Sequence, residues 1–275
     1  MKKKILTCSV FVFLFAIVFS IDDVHAQKIK RAGRQTSYPR IIAHRGYWDT
    51  LGSAQNSLSS LQNAQSSRCY GSEFDVIVTF DGIPVINHDA SIDKFPIEQT
   101  NYLLLKDIHL KNGEVLPTLK DYLLQGKKNK NTKLVLEIKP HQTVENEDRA
   151  VEIITRSVKE ARMERQVEYI SFSLHICQKI REQQKQVPVS YLGGNCSPRE
   201  IDSLNLSGID YNYRVFLQHP EWIKEARERN LTVNVWTVNE VEQMKQCLLW
   251  QVDFITTDKP IILQQQIKYK LNNIK

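Results

Sequence analysis

Apolar runs alternate with helix-patterned segments from residue 40 to the C-terminus, and this alternation restricts the fold more than any other feature of the chain. The runs fall at 40–44, 71–79, 84–88, 134–139, 169–173, 187–192, 209–213, 232–238 and 254–257. Helical periodicity occupies 57–67, 119–126, 146–163, 175–184, 199–204, 220–230, 241–248 and 260–271. Strands separated by helical crossovers build parallel βα units. Nine runs are one too many for an eight-stranded barrel. Thr79-Phe80-Asp81-Gly82 is a turn signal that joins 75–79 to 84–88 as a hairpin, which leaves eight. Residues 89–116 are weakly periodic and read as a small insertion after the second strand, rejoining at Leu116-Pro117-Thr118-Leu119. The chain has 275 residues, 41% of them hydrophobic and 25% charged, which suits a single α/β barrel domain over 39–275.

Residues ahead of that domain read differently. Lys2, Lys3 and Lys4 precede an apolar run from Ile5 to Ser20, and Val24-His25-Ala26 offers small residues where a signal peptidase cuts. Residues 1–26 are therefore expected to be a secretory signal and 27–38 a flexible lead-in. A retained membrane anchor is the alternative, but the run falls short of the ~20 apolar residues a span needs. No later stretch is apolar enough, so no stable membrane insertion is expected. Cleavage removes three lysines and two aspartates, leaving about +5 of the formal +6, for an exported protein in a periplasm or outside the cell. Its basic stretches do not interleave with aromatics, which argues against a nucleic-acid partner. Cys69, Cys177, Cys196 and Cys247 are widely spaced with no C-x-x-C pair, so buried thiols are the default reading.

Charge gathers where apolar strands end. His44-Arg45-Gly46 follows the first run, Glu73-Phe74-Asp75 lies in the second, and the hairpin returns His88-Asp89 to its neighbourhood. Strand side chains alternate, so Glu73 and Asp75 share one face roughly 6–7 Å apart. Glu137 and Lys139 share a face of the 134–139 run. Both strands then aim acids into the lumen near the C-terminal rim, where barrel enzymes place their chemistry. Three carboxylates face two permanent cations, Arg45 and Lys139. A bound phosphodiester adds another negative charge, and one divalent cation brings the total to zero. Oxygen-only ligands favour Ca²⁺ or Mg²⁺. The alternative is a buried salt-bridge network, which would leave one acid unpaired. His44 and His88 flank the acids and suit proton transfer near neutral pH, one as base and the other as acid. Arg45 carries the planar fork that grips phosphate oxygens. His109, His141, His175 and His219 read as surface residues. On residue pattern alone, Trp236 reads as a core residue at even odds.

In these motifs the chain resembles the glycerophosphodiester phosphodiesterase family. The likeness runs in order through His44-Arg45-Gly46, Gly71-x-Glu73-Phe74-Asp75-Val76, Thr79-Phe80-Asp81-Gly82 and Pro84-Val85-Ile86-Asn87-His88-Asp89. It continues through Pro117-Thr118-Leu119, Leu136-Glu137-Ile138-Lys139, Trp236-Thr237-Val238-Asn239 and Asp253-Phe254-Ile255-Thr256-Thr257-Asp258-Lys259-Pro260. The resemblance implies a TIM-type (β/α)8 barrel and a divalent metal held by Glu73, Asp75 and Glu137. It also implies an acid–base pair at His44 and His88, with Arg45 and Lys139 on the phosphate and Trp236 walling the substrate cleft. The implied activity is metal-dependent hydrolysis of small-molecule glycerophosphodiesters to glycerol 3-phosphate and an alcohol. Two other readings remain: another lipid phosphodiesterase on the same barrel, phospholipase C-like or sphingomyelinase D-like, and a non-catalytic phosphate-ligand binder. One departure stands out. Ala54-Gln55-Asn56-Ser57 replaces the family's usual Pro-Glu-Asn-Thr, so a neutral amide stands where a carboxylate is expected.

Overall fold

The computed structural model describes residues 38–272. The leader read over 1–26, and the lead-in up to residue 37, lie outside the described residues. Eleven strands are formed among those described: β1 (Arg40–Ala43), β2 (Gly71–Val78), β3 (Pro84–Ile86), β4 (Ser91–Ile92), β5 (Phe95–Pro96), β6 (Lys133–Ile138), β7 (Val167–Ser171), β8 (Val189–Tyr191), β9 (Gly208–Asn212), β10 (Thr232–Trp236) and β11 (Phe254–Thr257). Eight of them pair in parallel in the order β1, β11, β10, β9, β8, β7, β6, β2, and β1 also pairs with β2 to close the ring. This is a TIM-type barrel. Strand β3 lies outside the ring, antiparallel to β2 with Val76 opposite Ile86, as the Asp81-Gly82 turn predicts.

Helices α1 (Leu58–Ser66), α2 (Leu119–Gly126) and α3 (Val144–Glu160) cover the first crossovers, and further helices follow each later strand. Hydroxyl caps start many of them. Ser57, Thr118, Thr143, Ser173 and Ser197 each accept a hydrogen bond from the backbone N–H three residues on. Thr118 with Asp121, and Ser197 with Glu200, close reciprocal capping boxes.

Strand alternation divides the apolar residues into two layers. Phe74, Val76, Leu134, Leu136 and Ile138 point outward against Leu61, Tyr122 and Ile154 of the helices, and the Phe74 and Tyr122 rings stack at 4.2 Å. Ile42, Val135, Ile170, Leu192 and Phe254 fill the lumen. At the strands' N-terminal end the Arg40 guanidinium lies over the Tyr70 and Phe254 rings, and the Tyr70 hydroxyl donates to Glu168 Oε1 at 2.6 Å. That end is plugged, so the cleft opens at the other.

Several details differ from the sequence reading. The second run is one strand rather than a barrel strand followed by a separate hairpin arm. It runs on to Val78, and Val76 pairs with β6 on one side and β3 on the other. The insertion is not featureless: β4 and β5 form a small hairpin, 3-10 turns occupy Ile97–Gln99 and Tyr102–Leu104, and Ile77, Val85, Ile97, Leu105 and Leu116 form a core beneath them. A short helix at Tyr213–Gln218 begins where the seventh apolar run ends, capped by Asn212. His141 is not a surface residue. It is half-buried, its Nε2 accepts from the Val78 N–H at 3.3 Å, and its Nδ1 sits 2.8 Å from the Lys139 carbonyl. Cys69, Cys177 and Cys247 are buried free thiols and Cys196 is a half-buried one. Among the described residues no helix is long and apolar enough to cross a membrane.

Candidate active site

Strands β2 and β6 pair with Asp75 opposite Glu137, which places three acids on neighbouring lumen-facing positions. One carboxylate oxygen from each of Glu73, Asp75 and Glu137 lies within 4.8 Å of the other two, and all three side chains are buried. Lys139 Nζ is 3.2 Å from Asp75 Oδ1 and 2.8 Å from Glu137 Oε1. Arg45 Nε is 3.7 Å from Asp75 Oδ2. Asn56 clamps Asp75 as well, donating its amide to Oδ2 at 2.9 Å and accepting the Asp75 N–H at 3.2 Å. Glu73 instead accepts the Arg45 backbone N–H at 2.7 Å.

Two cations for three acids leave the cluster short of positive charge, and the titration behaviour follows. Burial, reinforced by the charges of Asp75 and Glu137, holds Glu73 well above the usual carboxylate range. Burial and Asp75 push Glu137 up to about 8 against the pull of Lys139. Burial would raise Asp75 too, but Lys139, Asn56, His88 and Arg45 together hold it below its usual value. Burial opposes the Lys139 charge, yet Glu137 and Asp75 keep its ammonium above the ordinary range. Glu137 Oε1 makes no aligned hydrogen bond despite its contact with Lys139. An all-oxygen cluster with surplus negative charge and an unsatisfied buried acceptor fits a hard divalent cation.

The loop after β1 sets the rest. Arg45 and Gly46 both adopt positive φ, 52° and 77°. The turn directs the Arg45 N–H at Glu73 while its side chain crosses to Gln55, with Nη1 donating to Oε1 at 2.7 Å. The amide at position 55 therefore still engages the guanidinium, without a charge. His44 Nδ1 lies 2.8 Å from Asp258 Oδ1. Burial would raise the Asp258 carboxyl, but His44, Asn239 and Trp48 hold it below its usual range, so the carboxylate accepts and the imidazole donates. That leaves His44 Nε2 as the ring's proton acceptor. His88, delivered by the hairpin, pairs Nδ1 with Asp89 Oδ1 at 2.7 Å and is 41% exposed. One cleft of about 510 Å³, open to solvent, is lined by His44, Arg45, Glu73, Asp75, His88 and Glu137 among others. Trp236 is also part of its wall, with its ring edge-on to Phe172 and its indole N–H on the Asp210 carbonyl.

The eight predicted site residues thus converge on one rim. Lys139, just past the C-terminal end of β6, contacts Asp75 and Glu137, and the other seven line the cleft. Asn56, Asp258, Asn239 and Trp48 were not picked out as site residues. Asn56, Asn239 and Asp258 stand inside the quoted motifs, which is the signal that could have found them. Asp258 is 214 positions from His44, a pairing that only barrel closure creates.

The closed barrel and the charged groups gathered at its rim define a TIM-barrel hydrolase. The chain belongs to the glycerophosphoryl diester phosphodiesterase family, which it matches over residues 44–262, and it is accordingly a phosphoric diester hydrolase. It is 41% identical to a glycerophosphodiester phosphodiesterase of Parabacteroides distasonis, with a TM-score of 0.84 over 85% of this chain and 98% of that one. It is 25% identical over 240 residues to the glycerophosphodiester phosphodiesterase of Caldanaerobacter subterraneus, covering 80% of this chain and 94% of that protein. The fold is shared with an Oleispira antarctica phosphodiesterase solved in complex with the product sn-glycerol-3-phosphate (21% identity, TM-score 0.72, 84% of this chain and 97% of that one).

Proposed function

We propose that this protein hydrolyses glycerophosphodiesters to glycerol 3-phosphate and an alcohol, using a divalent cation held by Glu73, Asp75 and Glu137 and proton transfer by His44 and His88. The observation that carries the reading is the trio of buried carboxylates on paired strands, with too little cationic charge around them. A cation bound there, Ca²⁺ or Mg²⁺, would supply Lewis-acid polarisation of a phosphoryl oxygen and charge neutralisation. The remaining work falls to the side chains. Arg45 presents its guanidinium to the phosphate, braced at Gln55. Lys139 balances the charges of Asp75 and Glu137 and adds positive potential beside the phosphate. His44 acts as base through Nε2, because Asp258 holds the other nitrogen and stabilises the imidazolium that forms. His88, more exposed and nearer the mouth, protonates the departing alcohol. Trp236 and Phe172 form the apolar side of the cleft.

Release of glycerol 3-phosphate from glycerophosphocholine, with and without chelator, tests the reading. Chelator-sensitive turnover supports it. Absence of turnover on any of a small panel of diesters would leave a phosphate-ligand binder in its place. His44→Ala and His88→Ala should each lower the rate by about 10²-fold or more, and a near-normal rate removes that histidine from the mechanism. A cleaved leader over 1–26, as expected from the sequence, would carry this activity outside the cytoplasm. N-terminal sequencing of the exported protein, with Gln27 first, would support that placement.

A further inference from the structure

Across the lumen from the acids, one buried carboxyl has no place in the chemistry above. Asp210 lies on β9, three strands from β6 one way round the ring and four from β2 the other. It is 3% exposed, yet it lines the cleft alongside Ile170, Leu192, Trp236 and Thr256. Its Oδ1 is buried without a hydrogen-bond partner. No salt bridge reaches it among the described residues. Asn234 stands opposite it in the β9–β10 register, donates its amide to Thr256 Oγ1 at 2.8 Å, and leaves its own Oδ1 unpartnered as well. An apolar lumen carrying two orphaned oxygens in one patch is short of a donor. Burial pushes the Asp210 carboxyl up to about 7 against the pull of Asn234. A group poised between its two protonation states suits a neutral hydroxyl, which donates and accepts, better than a fixed cation.

Position decides which hydroxyl. In a diester the alcohol varies and the glycerol does not, so the alcohol suits the open mouth and the glycerol the enclosed wall. We propose that Asp210, supported by Asn234, binds the terminal hydroxyl of the substrate's glycerol and sets the enzyme's preference for that moiety. The inference rests on the glycerophosphodiester reading and assigns a specificity residue within it.

The test compares kcat/KM for choline and ethanolamine diesters of glycerol phosphate with the same diesters of propane-1,2-diol 1-phosphate, which lacks the terminal hydroxyl. Wild-type enzyme should favour the glycerol compounds by about 10- to 100-fold, the scale of one buried hydrogen bond left unmade. Asp210→Leu should bring the two series together, Asp210→Asn should keep most of the preference, and the head group should not matter. A preference retained in Asp210→Leu, or equal slowing of both series, overturns the proposal. Should the leucine variant not fold, calorimetric binding of glycerol 3-phosphate and propane-1,2-diol 1-phosphate to wild-type protein decides, and equal affinities overturn it. Selective binding without any diester turnover would sink the hydrolytic reading and leave the subsite standing.

Discussion

Above about pH 8, where Glu137 is ionised, replacing its carboxylate by an amide removes a buried negative charge that Lys139 only partly offsets. Glu137→Gln should therefore raise the melting temperature of cation-free protein, by roughly 2–4 °C for each kcal/mol of strain relieved, while abolishing diester hydrolysis. Calorimetry and an activity assay on the same sample check both halves, and a destabilised variant would mean that the acid is satisfied without a cation. Asp258 acts one step further out. It touches His44, Trp48 and Asn239 rather than the reacting atoms, so Asp258→Asn should lower kcat by about 10²-fold with KM nearly unchanged. Steady-state kinetics separate the two constants, and a KM effect alone would place Asp258 on substrate instead. Gln55→Glu sets a carboxylate against Arg45 in competition with the phosphate. Because the pair is exposed, KM should rise by no more than about fivefold.

At the scale of elements, the turn after β1 is the most constrained piece of backbone. Gly46 has φ of 77°, and a Cβ there would sit 2.2 Å from Ser60 Oγ and 2.7 Å from the Ser60 carbonyl carbon, backbone of α1. Gly46→Ala should cost about 2 kcal/mol or more from left-handed strain and overpacking. It should also displace the Arg45 N–H from Glu73, so thermal stability and activity should fall together; loss of neither in a melt and an assay would contradict this placement. The eight strands of the barrel were legible because each pairs a period-2 pattern with a helical crossover. The hairpin was legible because Asp81-Gly82 leaves few other turns possible. The acid cluster could be read from Glu73, Asp75 and Glu137 for the same reason: alternation alone fixes which way they face. That a single strand pairs with both β6 and β3 as far as Val78 was not legible, since a 71–79 run fits one strand or two successive segments equally. Nor was the insertion's fold, whose elements of two or three residues carry no period. The Asp258–His44 pair and the Asp210–Asn234–Thr256 patch depend on register between strands distant in sequence, which no local pattern encodes.

For the whole molecule, the acid cluster ties barrel stability to its cation and to pH. A carboxyl whose pKa is higher folded than unfolded loses stability for the fold as pH climbs between the two values. For Glu137 that window runs from its ordinary 4.5 to about 8, and Glu73 shifts in the same direction. Asp75 and Asp258 are shifted the other way, and their contributions fade only in acid, below the ordinary carboxylate value of 3.8. Cation-free protein should thus become less stable from about pH 5 to about pH 8. A divalent cation needs the ionised carboxylates, so its affinity should rise over the same interval. At 100 times its dissociation constant such an ion adds about 2.7 kcal/mol, or roughly 5–10 °C in a chain of this size. The melting-temperature difference between protein in millimolar Ca²⁺ or Mg²⁺ and protein in chelator should accordingly widen as pH is raised from 5.5 to 8. Scanning calorimetry at the two pH values measures it directly. A difference of the same size at both, or none at either, would mean that Arg45 and Lys139 suffice to hold the three acids.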